Sequence, residues 1–404
     1  MSAAETATPA AATAAPRRLS GGMLALLAGL AALGTLSTNI ILPAFPSMAA
    51  ALNVPARDLG LTLTSFFLAF ALGQLAVGPA SDRFGRRPLV LGGLILFVIG
   101  SAICWAAPDF NILIIGRVIQ AAGVCAASVL SRAIARDLFD GEALARALAL
   151  TMVAMAAAPG FSPLLGSALD TAFGWRAAFV LVGVAGILLA IAHLTVVGET
   201  HPADRRRPAG IGGIARAYVE LARDRRFILP ASAVSLVLGG LYAFFGATPA
   251  ILMTGMGFTS LELGLFFAAT VFVVFGAGFA APRLAHAFGA GRVARAGTLL
   301  ALAGGLALAA GGSTPGIAIF TAALSVFLFG MGLVNPLGTA ITLQPFGSRA
   351  GLGSALLGFL QMAMAALATL LVTALPLPQT LAMAVVLTGA SGLAALAFTA
   401  QGHK

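Results

Sequence analysis

Twelve separate apolar runs constrain this chain more than any other feature of its sequence. They cover approximately 22–44, 60–80, 89–107, 112–132, 147–169 and 177–197, then 227–250, 261–281, 296–312, 315–337, 352–374 and 381–400. Each is close to the ~20 residues that cross roughly 30 Å of hydrocarbon as a helix. Inside hydrocarbon every backbone N–H and C=O needs an internal partner, so only helices and closed barrels can span. The runs lack the period-two alternation of a barrel strand. The predicted fold class is an all-α membrane protein with twelve transmembrane helices. Composition excludes a water-covered domain, because only 9% of the 404 residues are charged and 60% are hydrophobic. Soluble domains carry roughly 25% charged residues.

The formal charge of +10 does not mark a nucleic-acid surface. The basic residues sit in short gaps between apolar runs, which is the pattern of membrane topology. If the N-terminus is cytoplasmic, 20 of the 23 cations fall in inside segments. Arg132 and Arg136 are among them. Outside loops hold only Arg57 and Arg176, and Arg117 lies within a span. This bias predicts both termini on the cytoplasmic side of an inner membrane. Trp105 and Trp175 then fall at the outer interface.

The longest break, about 198–226, carries seven arginines and divides the spans six and six. The expected organisation is a disordered cytoplasmic tail at 1–21, six helices over 22–197, a cytoplasmic linker at 198–226, six helices over 227–400, and a short tail at 401–404. The first apolar run is too long for a signal-peptide core and is read as uncleaved. Cys104 and Cys125 both lie inside spans and indicate no disulfide framework. A six-plus-six arrangement suits two repeats packed around a midplane site.

Three motifs carry chemistry. Between the second and third spans runs Gly78-Pro79-Ala80-Ser81-Asp82-Arg83-Phe84-Gly85-Arg86-Arg87-Pro88. A tight turn with inside arginines explains Gly85 and the cations. It does not explain Asp82, an acid at a membrane edge that is costly unless paired. A helix N-terminus offers such a partner through its free N–H groups and dipole. In the fourth span stands Arg117-x-x-Gln120-x-x-Gly123. Arginine could snorkel from there to the interface, but an intramembrane arginine usually faces a cavity and has a role. The fifth span contains Pro159-Gly160-Phe161-Ser162-Pro163-Leu164-Leu165-Gly166, small residues and prolines that permit close packing and bending.

These motifs resemble those of the major facilitator superfamily. The resemblance implies that Gly78, Asp82, Arg83, Gly85, Arg86 and Arg87 form a gating latch between the two halves. It ties Arg117 and Gln120 to proton coupling, with Asp137 a further candidate. Pro159, Gly160, Pro163 and Gly166 are similar to the antiporter element that seals the halves together. Finer strings are similar to the bicyclomycin and chloramphenicol resistance (Bcr/CflA) exporters: Ser37 to Pro46, Arg132 to Phe139, Gly174 to Phe179, and Gln344-Pro345-Phe346 leading to Ala350 through Met362. One departure is Asn39, where those relatives usually carry an aspartate.

The function expected from these readings is secondary active export of drug-like small molecules by alternating access, coupled to protons as an antiporter. Cavity candidates are the mid-span residues Asn39, Tyr242, Phe244, Phe245, Asn335 and Gln361, with Gln120. No acid lies near the middle of a span, so a cavity containing Arg117 is expected to be electropositive and to favour neutral or anionic amphiphiles. With Asn39 unable to titrate, either proton coupling runs through another group, with Asp82 and Asp137 the candidates, or coupling is weak and transport approaches facilitated diffusion. No cofactor, metal or nucleic-acid partner is implied, and one chain suffices for the architecture. A metabolite carrier on the same fold is the alternative. A membrane enzyme would need clustered nucleophiles or ligands within the spans, where His193 and scattered serines are all there is. Gly289-Ala290-Gly291 and Gly210-Ile211-Gly212 resemble nucleotide loops but follow no strand.

Overall fold

The computed structural model describes residues 20–206 and 211–401. The expected N-terminal tail lies outside the described residues up to Leu19. Ser20 then starts the first helix as its cap, accepting the Met23 N–H at 3.2 Å. The expected C-terminal tail lies outside them from Gly402 onward.

Among the described residues, twelve helices are long and apolar enough to cross a membrane: Gly21–Leu52, Ala56–Phe84, Arg86–Ala106, Phe110–Leu138, Gly141–Phe173 and Arg176–Val196, then Arg225–Gly255, Ser260–Phe288, Ala290–Ala310, Ile317–Gly347, Ala350–Ala374 and Gln379–Ala400. They are called the first to twelfth spans below. Most extend beyond the apolar runs read from sequence, because helical winding continues into the polar ends. The fourth span runs on to Leu138, past the run read as 112–132, so that Arg132 lies within the helix rather than at its end. The first span bends after Asn39 through a 3-10 turn at Leu42–Ala44 and resumes as Phe45–Leu52. Pro43 and Pro46 supply no N–H, and both sit at helix starts where none is needed.

Polar caps mark several ends. Asp109 accepts the Ile112 N–H at 3.0 Å and opens the fourth span. Thr259 and Glu262 form a reciprocal capping box at the eighth, the arrangement that satisfies two orphan donors at once.

The first six spans pack on one another, as do the last six, and the two sets meet along two seams. One seam joins the second and eleventh spans, where the Thr64 and Thr369 hydroxyls lie 2.9 Å apart. The other joins the fifth and eighth. At Gly264 an added Cβ would stand 2.9 Å from the Leu164 Cα, so the backbones approach within reach of glycine alone.

The break between the sixth and seventh spans is not wholly extended. It contains a helix, Ile211–Arg223, followed at once by the seventh span. Its Leu221 is buried with Phe227, Ala231, Leu356 and Leu357, and Tyr218 and Ala222 pack against them. Apolar residues at Ile214, Tyr218, Leu221 and Ala222 follow helical spacing, giving one face that needs cover. A search for 20-residue spans passes over so short a helix.

Trp175 stands at the N-terminal end of the sixth span. It is 5% exposed, with the Arg176 guanidinium 4.2 Å above its ring. Arg176 also donates to the carbonyls of Trp105 and Ala107, both at 3.0 Å. Trp105 does remain exposed.

Candidate functional site

The turn between the second and third spans is a charged cluster built on backbone geometry. Gly85 adopts φ +97°, which disfavours any side chain, and a Cβ there would strike Glu199. Glu199 uses that space to cap the third span, accepting the Arg86 N–H at 2.9 Å and the Arg87 N–H at 3.3 Å. Partial burial works to raise the Glu199 pKa. Backbone donors at His201, Arg86 and Arg87, with the Arg206 guanidinium at 3.6 Å, outweigh it and hold the carboxyl below its ordinary range. Arg86 is the hub. It donates to Asp82 at 2.7 Å, to Asp137 at 3.3 Å and to the Ser81 hydroxyl. Gly78 faces open space, and Arg83 lies 5.2 Å over the Phe84 ring.

Asp82 is therefore engaged within its own turn, and its side chain is 54% exposed. The latch between the two halves, expected to involve Asp82, is not made in this conformation. The reason is local: Arg86 stands one helical turn away and supplies the nearer cation. The first turn of the eleventh span has no side-chain cap, while Arg349 before it pairs with Glu220 of the linker helix at 3.5 Å.

Arg117 also departs from expectation. It is 0% exposed and does not line the central cavity. Its guanidinium donates to Ser37 O at 3.1 Å, to Thr62 O at 3.5 Å and to Gln120 Oε1 at 2.5 Å, and rests 4.4 Å over Phe66. Gln120 in turn donates to Ser101 at 2.8 Å. Two main-chain carbonyls, an amide and a ring face replace water around the charge. The arginine thus cross-links the first, second and fourth spans rather than facing solvent. Its Nη2 has no partner among the described residues.

On the fifth span, Pro159 lines the central cavity. A Cβ at Gly160 would overlap the Val271 side chain of the eighth span, and one at Gly166 would overlap the Ile40 carbonyl of the first. Pro163 lies buried between them. These small residues let the fifth span close against both neighbours.

The central cavity, of about 400 Å³, lies between the two sets of six spans. Tyr242, Phe244, Phe245, Asn335 and Gln361 line it, as expected. Asn39 does not: it is 2% exposed and spends its amide on Thr35 O at 2.8 Å and on the Thr38 hydroxyl at 3.2 Å. The bend after Asn39 draws it into packing and leaves Gly34, Thr35 and Thr38 on the cavity wall. Gln74 and Arg132 also line the cavity. Neither was found from sequence. Gln74 is a lone polar residue within an apolar span and could have been flagged for that. Arg132 ends the run 112–132 and counts by sequence only among the inside cations.

The cavity is closed at the end remote from the linker. There Phe67 of the second span meets Tyr242 of the seventh at 4.4 Å between ring centroids. Beyond them, Thr64 meets Thr369, and a Cβ at Gly60 would overlap Thr373. Towards the linker its lining reaches Arg132, Leu343 and Ser354, close to the ends of their helices.

Comparison with known proteins agrees with this arrangement. The family model described as Major Facilitator Superfamily matches residues 27–369. An uncharacterized MFS-type transporter, YdgK of Bacillus subtilis, is 30% identical over 86% of this chain and 87% of its own. Multidrug resistance protein D of Escherichia coli is 28% identical over 85% of this chain and 86% of its own. A chloramphenicol resistance protein of Pseudomonas aeruginosa is 30% identical over 79% and 74% respectively. Among solved structures, a bacterial homologue of the lysosomal transporter Spinster superposes with TM-score 0.73 at 18% identity, covering 93% of this chain and 96% of that one. Twelve helices in two packed sets of six, a cavity between them and family similarity along most of the sequence lead to one assignment: the chain belongs to the Major Facilitator Superfamily, as a transporter and not an enzyme.

Proposed function

We propose that the protein exports small amphiphilic molecules, neutral or anionic, across the bacterial inner membrane by proton-coupled alternating access. The observation that carries this reading is the central cavity. It is closed by aromatic and threonine contacts at one end and reaches towards the linker at the other. With both termini and the linker cytoplasmic, this is a conformation loaded from the cytoplasm. Its aromatic and methionine lining, with Met152, Met155, Met331 and Met362, suits varied substrates, because methionine repacks readily. One chain contains the whole cavity, so a monomer is the functional unit.

Asp82 and Arg83 act in the opposite state. The exposed Asp82 carboxylate and the uncapped first turn of the eleventh span are complementary in charge, and they meet when the cytoplasmic side closes. No carboxylate lines the central cavity among the described residues. Protons therefore pass by way of Asp82 or Asp137, both held on Arg86, while Arg117 and Gln120 hold the first, second and fourth spans together. The test is uptake of radiolabelled chloramphenicol into inverted membrane vesicles with an imposed proton gradient. Absence of gradient-dependent uptake, at verified expression, sinks the exporter reading.

A further inference from the structure

The charge in the central cavity comes from an unexpected residue. Arg117, the arginine inside a span by sequence, is sealed from the cavity. Arg132 lines it instead, within about two turns of the linker-side end of the fourth span. No ion pair or hydrogen bond involves its guanidinium among the described residues, and it is only half-buried. The cavity walls around it, including Gln74, Asn335, Ser354 and Gln361, are uncharged. The nearest cation is Arg136, one turn further along the same helix. A cation inside an apolar cavity with no counter-charge is an unusual expense, since intramembrane charges are normally paired.

The lining is also polarised along its length. Arg132 and Ser354 stand near the linker-side ends of their helices, and the amides of Gln74, Asn335 and Gln361 lie deeper, towards the middle of theirs. The aromatic group Phe67, Tyr242 and Phe245 occupies the closed end. A molecule that fills both regions has an aromatic or aliphatic body and an acidic head, and it enters body first.

We infer that Arg132 is the specificity-determining residue of this cavity, holding the carboxylate or comparable anionic head of amphiphilic substrates whose apolar body lies against Phe67 and Tyr242. This rests on the exporter reading and names its substrate class. The guanidinium meets a carboxylate through two parallel hydrogen bonds, and removal of one partner from such a desolvated pair lowers affinity strongly. Lipophilic cations are rejected by the same group.

The test uses the purified full-length protein in detergent and two probes of one shape, nalidixate and its uncharged ethyl ester. Binding is measured by calorimetry, independently of transport. The wild type is expected to bind nalidixate at least about tenfold more tightly than the ester. Arg132→Gln should erase that preference by weakening nalidixate alone, and Arg132→Lys should restore part of it. Unchanged ester binding shows that the Gln variant is folded. Equal losses for both probes would mean a structural role and overturn the inference, as would no loss for either. If the wild type binds neither probe, the cavity does not take this class of anion and the inference also fails. The exporter reading is judged separately by chloramphenicol uptake, which does not depend on an anionic head.

Discussion

The Arg86 guanidinium stands 2.7 Å from the Asp82 carboxylate and 3.3 Å from that of Asp137. One cation thus serves two acids on different helices, and a switch between states needs only to trade Asp82 from Arg86 to another donor. Exchange of that kind costs little, because exposed ion pairs contribute about 0–1 kcal/mol.

Asp82→Asn is expected to reduce efflux at least about fivefold without loss of membrane insertion. Arg292→Ala, an exposed cation with no role in this cluster, should leave efflux near wild type. The comparison is made by vesicle uptake normalised to expression. Normal transport by Asp82→Asn would exclude a latch.

Arg117→Gln should lower thermal stability as well as transport. The substitution strips a buried cation from two carbonyls and Gln120, and each hydrogen bond to a charged group contributes about 1.5–3 kcal/mol. Arg117→Lys should recover only part, because lysine lacks the planar fork. Melting of the detergent-purified protein reads this directly, and an unchanged Tm in both variants would contradict the packing described above.

Gly160→Ala and Gly166→Ala should both loosen the packing of the fifth span, but only one should be repairable. The Gly160 methyl would overlap the Val271 side chain, and overpacking costs roughly 1–3 kcal/mol. Adding Val271→Ala removes the obstruction and should restore Tm and efflux. At Gly166 the obstruction is the Ile40 carbonyl, which no side-chain truncation relieves. Failure of the Gly160 and Val271 pair to show rescue would count against this seam.

The linker helix should be protected while docked. Leu221→Asp places a charge in the cluster of Phe227, Leu356 and Leu357. Limited trypsin digestion at Arg216 and Arg223 should then be several-fold faster than in the wild type. Tyr218→Phe is milder, removing one 3.3 Å bond to the Leu75 carbonyl, worth about 1 kcal/mol. Burial, and then the charge of Asp82, raise the Tyr218 pKa. The hydroxyl therefore stays protonated and able to donate throughout the neutral range.

The cap made by Glu199 has a defined pH sign. Its folded pKa is depressed, so its contribution is full above the ordinary glutamate value of 4.5. That contribution is lost only as pH falls through the lower folded value. The stability difference between wild type and Glu199→Gln should be constant from neutral pH down to about 5 and shrink below the ordinary glutamate range. A difference that vanished already near pH 6 would refute the cap.

Sequence by itself determined the solvent, the number of spans, the six-plus-six division and the family, because each depends on apolar length and local motifs. It also placed Tyr242, Phe244, Phe245, Asn335 and Gln361 at a depth where a cavity could use them. It could not decide which face of a helix meets that cavity. Lipid and protein interior are both apolar, so a span carries no amphipathic stripe to mark its inward side. Only packing turned Arg117 into the contacts of three helices and left Arg132, by sequence an inside cation at the end of its apolar run, facing the cavity. Only the bend after Asn39 turned its amide onto Thr35 and Thr38. The linker helix was legible in principle, since one of its faces meets water and the spacing of Ile214, Tyr218 and Leu221 shows it. Its docking beside Leu75 and Leu356, residues far away in sequence, was settled by the tertiary structure, where burial of that face has somewhere to go.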